Sequence, residues 1–127
     1  MNQSLSIAEA AVASGLSVHT LRYYEQIGLI APVSRRGGAR RYDAGAMRWI
    51  AFLVRLRATG MSMRDMQRYA QLLRQGHAPE IVAERQAMLE EHARSVEADL
   101  RMLGDTLEHI RAKIRSYQDL QVGSESA

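Results

Sequence analysis

The fold is decided by residues 6–28, which read SIAEAAVASGLSVHTLRYYEQIG. At the start of this stretch Ser6 precedes Glu9 by three residues, which is the spacing of a capping box. In a capping box each side chain accepts a hydrogen bond from a backbone amide that has no partner in the first helical turn. A short helix is therefore expected to run from this cap to about Ala13.

A second short helix is expected directly after the first. Gly15 interrupts the helical pattern, Ser17 offers a new N-cap, and the helix should continue to about Gln26 before Gly28 ends it. Two short helices that meet across a glycine turn predict a helix-turn-helix, whose second helix normally lies in the major groove of DNA.

The second helix carries the side chains best suited to contact nucleic acid. Its N-terminal amides and hydroxyls can face phosphate oxygens, and one face can touch base edges while the tyrosines hydrogen-bond to the sugar-phosphate chain. A solvated arginine beside half-buried tyrosines on an amphipathic helix explains the same residues equally well. The candidate DNA contacts on this helix are Ser17, Val18, His19, Thr20, Arg22, Tyr23 and Tyr24.

A small β-hairpin, or wing, is expected after the second helix. From Leu29 the helical period disappears, and residues 29–33 and 40–42 bracket a loop, residues 34–39, that is rich in glycine and arginine. Gly37 and Gly38 lack a Cβ and allow the backbone to approach a phosphate closely. The expected tip of the wing consists of Arg35, Arg36, Gly37 and Gly38.

Three more helices are expected. Asp43 can cap a third helix that ends at Gly60, and Ser62 can begin a fourth that runs to about Arg74. Pro79 stands in the first turn of a last, much longer helix. Trp49, Phe52, Met66 and Tyr69 are interpreted as core residues, with the lining of a small-ligand groove as the less favoured alternative.

The last helix has the periodicity of a coiled coil. Apolar residues fill ten of the eleven positions of its heptad seam, and Gln86 is the exception. A helix of roughly 40 residues extends about 60 Å, more than a small head can cover, so it needs a partner. We predict a homodimer through antiparallel C-terminal helices. The predicted dimerisation residues are Val82, Leu89, Ala93, Val96, Leu100, Leu103, Leu107, Ile110, Ile114 and Tyr117.

Charge divides the chain into two parts of opposite sign. Residues 1–74 contain eleven arginines and four acids, a net charge of +7, whereas residues 75–127 contain six cations and ten acids, a net charge of −4. A basic head joined to an acidic helix indicates that only the head meets a polyanion. Arginine also suits bidentate contacts to phosphate and guanine.

Composition excludes several kinds of chemistry. The chain contains no cysteine, so disulfides, thiolate zinc sites and thiol-based sensing are excluded. The four histidines lack the spacing of a metal site, and no nucleophile and base are paired, so we expect no metal, no cofactor and no enzymatic activity. No secretory signal or membrane span is visible, and a cytoplasmic location without membrane association is expected.

Several motifs occur in a fixed order along the head. They are Thr20-Leu21-Arg22-Tyr23-Tyr24-Glu25, Gly28-Leu29-Ile30, Pro32, Gly38-Ala39-Arg40-Arg41-Tyr42 and Leu56-Arg57-Ala58-Thr59-Gly60-Met61-Ser62. On these motifs residues 6–73 strongly resemble the MerR family of bacterial transcription regulators. Beyond them only the dimerisation helix is shared in kind.

In that family the second helix enters the major groove and the wing grips the DNA backbone. The resemblance implies that Arg22, Tyr23 and Tyr24 contact DNA, while Val18 and His19 fall at positions that set sequence preference. The wing contacts it implies, together with the flanking phosphate partners, are Arg36, Gly38, Arg40, Arg41 and Tyr42. For Arg36 and Arg41, a solvated surface charge is the alternative.

The resemblance also implies a mechanism, in which a dimer sits on a palindromic promoter site and distorts the DNA so that RNA polymerase can engage it. The sequence does not identify the signal to which the protein responds, but it excludes thiol chemistry. An architectural or excisionase-like DNA-bending protein and a coiled-coil adaptor with a basic head are the alternatives.

The expected fold is thus mainly α-helical and has three parts. A winged helix-turn-helix occupies residues 1–75, a coiled-coil dimerisation helix residues 76–118, and a flexible tail residues 119–127.

Overall fold

The computed structural model describes residues 4–31, 35–37 and 39–126, and of residues 35, 36, 39, 40 and 124–126 it describes the backbone only. The fold is mainly α-helical, with a small antiparallel sheet. Its elements are β1 (Leu5–Ser6), α1 (Ile7–Ser14), α2 (Val18–Gln26), β2 (Arg35–Arg36), β3 (Ala39–Tyr42), α3 (Ala44–Ala58), α4 (Met63–Arg74) and α5 (Pro79–Ser126).

The helix-turn-helix forms as the caps predict. The Ser6 hydroxyl accepts from the Glu9 amide at 3.1 Å, and the Glu9 carboxylate accepts from the Ser6 amide at 2.9 Å. The bond from the Ser6 backbone to the Glu9 carboxylate, followed by a side-chain bond from Ser6 and the charge of Arg41, holds the pKa of Glu9 below its ordinary value. Gly15 closes α1 with a φ of 76°, a left-handed conformation that glycine adopts without a steric penalty.

The wing differs from the prediction in its first strand. Arg35 and Arg36, which were expected in the loop, form β2 and pair with Arg40 and Ala39 of β3. Residues 29–31, expected in a strand, belong to none in the structure, and Leu29 and Ile30 are buried in the core. The hydrophobic effect therefore decides their position, because core burial outweighs ladder pairing for these two side chains.

The sheet gains a strand that the sequence does not predict. β1 pairs antiparallel with β3, placing Leu5 opposite Tyr42 and Ser6 opposite Arg41, so the strand order is β1-β3-β2. A two-residue strand is too short to produce an alternating pattern. It ties the start of the helix-turn-helix to the wing.

The core of the head lies among α1 to α4. Its fully buried large residues include Leu21 of α2, and Ile50, Leu53 and Met66 of α3 and α4. Trp49 stacks on Tyr69 with ring centroids 5.8 Å apart, and Phe52 and Tyr69 form a T-shaped pair with ring centroids 6.3 Å apart. The structure thus agrees with the core interpretation for Met66 and Tyr69, and leaves Trp49 and Phe52 half-buried.

Asp43 and Ser62 cap α3 and α4 as expected. The Asp43 carboxylate accepts from the Ala46 amide at 2.8 Å, and the Ser62 hydroxyl accepts from the Asp65 amide at 3.1 Å. These caps satisfy amides that have no helical partner.

The chain divides into two compact units, residues 1–88 and 89–127, and α5 begins in the first of them. The first turns of α5 belong to the head because Glu84 forms an ion pair of 2.6 Å with Arg68, and Arg85 lies 3.2 Å from His77. The boundary was expected near residue 75.

The second unit is helical as far as Ser126, whereas the sequence predicts a flexible tail from residue 119. Once a helix has formed, each further residue adds one hydrogen bond, so the helix extends through residues without a strong apolar pattern. Across the described ranges, the structure has no helix that meets the length and hydropathy needed to cross a bilayer.

Candidate nucleic-acid interface

One face of α2 is exposed and polar. His19, Arg22, Tyr23 and Gln26 are all exposed, and their i, i+3, i+4 and i+7 spacing places them on one side of the helix. Leu21 points to the opposite side and is fully buried. We call these four residues the α2 outer face. It presents a guanidinium, an imidazole, an amide and a phenol, all of which can hydrogen-bond to base edges or phosphates.

Gln26 is a site residue that the sequence reasoning missed. The motif analysis ended at Glu25, although the helical spacing from Arg22 and Tyr23 already places Gln26 on their face. A glutamine can contact adenine through two hydrogen bonds, so its position is chemically suited to base contact.

The start of α2 is fixed by two hydroxyls that were predicted to contact DNA. Ser17 accepts from the Thr20 amide at 3.0 Å and donates to the Thr20 hydroxyl at 2.9 Å. Both side chains are therefore used in capping the helix, although Ser17 is exposed and Thr20 half-buried. Val18 is half-buried, so only part of its surface faces solvent.

The two tyrosines of α2 have different environments. Tyr23 is 48% exposed. Tyr24 is half-buried, and its carbonyl oxygen accepts from the amides of Leu29 at 2.9 Å and Ile30 at 3.1 Å. Tyr23 is thus free to reach a ligand, while Tyr24 also belongs to the turn that ends α2.

Side chains of α3 and α4 hold the chain where it leaves α2. The Gln67 amide donates to the Ile27 carbonyl at 3.2 Å, the Arg74 guanidinium donates to the Gly28 carbonyl, and the Trp49 indole donates to the Leu29 carbonyl at 2.9 Å. We call these three donors the α2 clamp. These residues follow the end of α2, where no helical hydrogen bond holds their carbonyls, so the clamp satisfies the carbonyls and fixes the chain at the end of the helix.

The predicted wing residues differ in burial and in hydrogen bonding. Arg41 is half-buried and donates from Nε and Nη2 to the hydroxyl and carbonyl of Ser4, at 3.2 and 2.6 Å. Tyr42 is fully buried. Its prediction as a DNA contact is a mistake for this structure, because the strand alternation that points Arg41 outward turns Tyr42 into the core. The side chains of Arg36 and Arg40, and the whole of Gly38, lie outside the described residues.

Among the described residues, no three or more histidines, aspartates or glutamates lie together so that they could hold a metal ion. Arg55 of α3 is exposed. Its guanidinium can donate hydrogen bonds and form charge contacts.

A match to a protein-family model identifies the family of this chain. Residues 5–73 match the family model described as the MerR HTH family regulatory protein. The chain belongs to the MerR family. This MerR-family chain is a DNA-binding transcription regulator, and its relatives are named as transcriptional regulators, which confirms the expectation that it is not an enzyme.

Two relatives give the extent of the sequence similarity. The regulator AdhR of Bacillus subtilis is 36% identical over 94 residues, which cover 73% of this chain and 66% of AdhR. An uncharacterised HTH-type transcriptional regulator of Haemophilus influenzae is 32% identical over 112 residues, 87% of this chain and 82% of that protein.

Two crystal structures resemble the MerR-family chain over more than nine-tenths of its length. HiNmlR, described as a MerR family regulator lacking the sensor domain and bound to promoter DNA, is 30% identical, with a TM-score of 0.84 and coverage of 94% of both chains. A MerR family transcriptional regulator from Listeria monocytogenes is 31% identical, with a TM-score of 0.86 and coverage of 97% and 92%. They confirm the predicted winged helix-turn-helix followed by a long C-terminal helix.

Proposed function

We propose that this chain works as a homodimer that binds a palindromic promoter site and distorts the DNA to control transcription, in response to a signal other than thiol chemistry. The observation that carries the proposal is the α2 outer face. It exposes four polar side chains on the helix that, in helix-turn-helix proteins, lies in the major groove.

Base contacts come from the start of this face. His19 and Arg22 are exposed and one turn apart, and an arginine here can contact O6 and N7 of a guanine together. Val18 exposes part of a methyl surface that can meet a thymine methyl group. Tyr23 lies beside Arg22 and is suited to a phosphate, while Tyr24 supports the helix from its half-buried position.

Phosphate contacts come from the wing and from the cap of α2. The proposed wing contacts are Arg36, Gly38 and Arg40, and Ser17 adds a hydroxyl at the positive end of the α2 dipole. Arg41 takes a smaller part in this proposal, because it already donates to Ser4. Contacts to phosphates position the protein and carry no sequence information directly.

The dimer is supported by the exposed seam of α5. In the single chain Leu100, Leu103, Leu107, Ile110 and Ile114 are all exposed. Burying a large apolar side chain contributes about 1.5 to 3 kcal/mol, so the seam is a strong driving force for association. A second copy of the chain supplies the same heptad pattern in return.

The charges beside the seam favour an antiparallel pair. Beside the seam, the first half of the heptad region carries Glu90, Glu97 and Asp99 against one cation, Arg85, and the second half carries Arg111 and Lys113. Antiparallel helices bring the half with net negative charge of one copy to the half with net positive charge of the other, whereas parallel helices bring together halves of the same net sign. Complementary charges flanking a seam set orientation in coiled coils.

The two-fold symmetry of such a dimer requires a palindromic site. Two copies of α2 related by a two-fold axis contact half-sites about one helical turn apart, or multiples of it. DNA deformation then becomes a means of control at the promoter, with RNA polymerase as the partner that the family resemblance suggests.

Selection of duplexes from a random library tests the proposal. We expect enrichment of an inverted repeat, and a loss of roughly 10³ to 10⁵ in affinity between 50 and 200 mM salt for a dimer that touches 6 to 10 phosphates. Equal and weak binding to every duplex would refute a promoter-specific regulator.

A further inference from the structure

A cleft in the head touches the α2 clamp. It has a volume of about 490 Å³ and lies between the residues that follow α2, the start of α3 and the end of α4. We propose that this cleft binds a small organic anion, a carboxylate carried on a ring or short alkyl body, and that this ligand is an effector of DNA binding. Ligand pockets typically have volumes of about 300 to 1,000 Å³, and this cleft lies within that range.

The walls of the cleft explain the apolar body of the ligand. Trp49 and Leu73 line it, Leu73 being exposed and Trp49 half-buried, and the Trp49 ring stacks on Tyr69. An indole next to a leucine provides an apolar surface on which a ring or short chain packs.

The polar end of the cleft explains the negative charge. Arg41 and Arg74 line the cleft together with Asp43, so two guanidiniums accompany one carboxylate. The Asp43 carboxylate accepts from the Ala46 amide as the cap of α3, and it remains there as long as α3 keeps its cap. The local charge is therefore positive, which favours an anion.

The guanidiniums keep hydrogen-bonding capacity. Each has five N–H donors. Among the described contacts, Arg74 uses Nη2 for the Gly28 carbonyl, and Arg41 uses Nε and Nη2 for Ser4. The remaining donors can form charge-assisted bonds to a carboxylate, which are stronger than bonds between neutral groups.

The same residues connect the cleft to α2. Trp49 and Arg74 line the cleft and also hold the Leu29 and Gly28 carbonyls. A ligand that contacts these two side chains affects the position of α2, which carries the α2 outer face. This regulatory part rests on the proposed DNA-binding function, whereas the binding of the anion does not.

Fluorescence of the full chain tests the binding, because Trp49 is the only tryptophan in the sequence. The probes are cyclohexanecarboxylate and octanoate, which do not absorb at the excitation wavelength, with cyclohexanecarboxamide as the uncharged match. We expect a saturable change in Trp49 emission with the carboxylates. The absence of any saturable change up to about 10 mM, which places Kd well above 1 mM, would overturn the proposal.

A pair of variants tests the location. Ala46 lines the cleft and is half-buried, whereas Ala44 of the same helical turn is exposed and does not line it. Ala46→Leu should narrow the cleft and weaken the saturable change, and Ala44→Leu should retain it, with thermal unfolding showing that both variants fold. An equal response from both variants would place the probe elsewhere and reject this cleft.

A third variant tests the charge. Arg74→Gln keeps an N–H donor and removes the positive charge, so carboxylate affinity should fall about tenfold while the carboxamide is unaffected. Equal affinities for carboxylate and carboxamide in the natural chain would contradict an anion site.

DNA completes the test. If the ligand is an effector, saturating probe changes the affinity for the selected duplex, and the duplex changes probe affinity by the same factor. Probe binding without this reciprocal change would leave a ligand site and overturn the effector role. If the chain without probe bound no duplex specifically, that result would count against the proposed function alone.

Discussion

Trp49 donates a hydrogen bond of 2.9 Å from its indole Nε1 to the carbonyl oxygen of Leu29, linking α3 to the residues that follow α2. Gln67 and Arg74 hold the two preceding carbonyls, so successive residues after α2 are tied to α3 and α4. The position of the chain at the end of α2 is therefore held by side chains of α3 and α4.

Replacing Trp49 tests this clamp. Trp49→Phe keeps an aromatic ring against Tyr69 but removes the donor, which leaves the buried Leu29 carbonyl without its indole partner. We expect a loss of about 1 to 3 kcal/mol in the free energy of unfolding, because an unsatisfied buried acceptor loses its hydration as well. Urea denaturation measures it, and a change within about 0.5 kcal/mol would show that the bond contributes nothing.

Arg22 is the residue of the α2 outer face with the clearest predicted effect on specificity. Arg22→Ala should weaken binding to the selected palindrome by about 1 to 3 kcal/mol if Arg22 contacts a base. Arg94→Ala is the matched control, since it removes the same charge from an exposed position in the second unit. Fluorescence anisotropy compares the two variants, and equal affinities would remove Arg22 from the contact set.

The sequence predicts what depends on local contacts and fails where distant residues compete. Ser6, Ser17, Asp43 and Ser62 all cap helices as predicted, because a cap involves residues three positions apart. The position of Leu29 depends on burial and on Trp49, twenty residues away in sequence, so its strand assignment was wrong. These tertiary contacts leave no periodic signal along the chain.

At the candidate site, the position of Tyr42 is also decided by burial. If Tyr42 contacted DNA, Tyr42→Ala would weaken DNA binding and leave the fold intact. Because the side chain is fully buried, we expect instead a loss of about 3 to 5 kcal/mol in the free energy of unfolding, as for other large aromatic residues replaced by alanine. Urea denaturation separates the two roles, and unchanged stability would restore Tyr42 to the interface.

The capping box makes stability depend on pH in the acid range. Hydrogen bonds from the Ser6 backbone and hydroxyl, with the charge of Arg41, hold the pKa of Glu9 below its ordinary value of 4.5. A depressed folded-state pKa stabilises the fold above the ordinary value, and this contribution disappears as the pH falls through the folded-state pKa. Glu9→Gln keeps an acceptor but does not titrate, so its urea midpoint should fall less than that of the natural chain between neutral pH and pH values below 4.5. Parallel curves for the two proteins would contradict the assignment.

The dimer seam has an unusually close control. Leu103 and Met102 are neighbours on α5 and are 62% and 61% exposed in the single chain, so surface exposure does not distinguish them. The heptad pattern does, because only Leu103 belongs to the seam. Leu103→Asp would place a carboxylate in an apolar interface, where an unpaired charge costs several kcal/mol, and should yield monomers. Met102→Asp adds the same charge on an outward position and should remain dimeric. Sedimentation equilibrium measures both, and a dimeric Leu103→Asp, or monomers from Met102→Asp alone, would refute the assigned seam.

The monomeric variant should also lose most of its affinity for the full palindrome while keeping a weak interaction with a single half-site, since each head retains its own α2 outer face and loses only the second, linked contact.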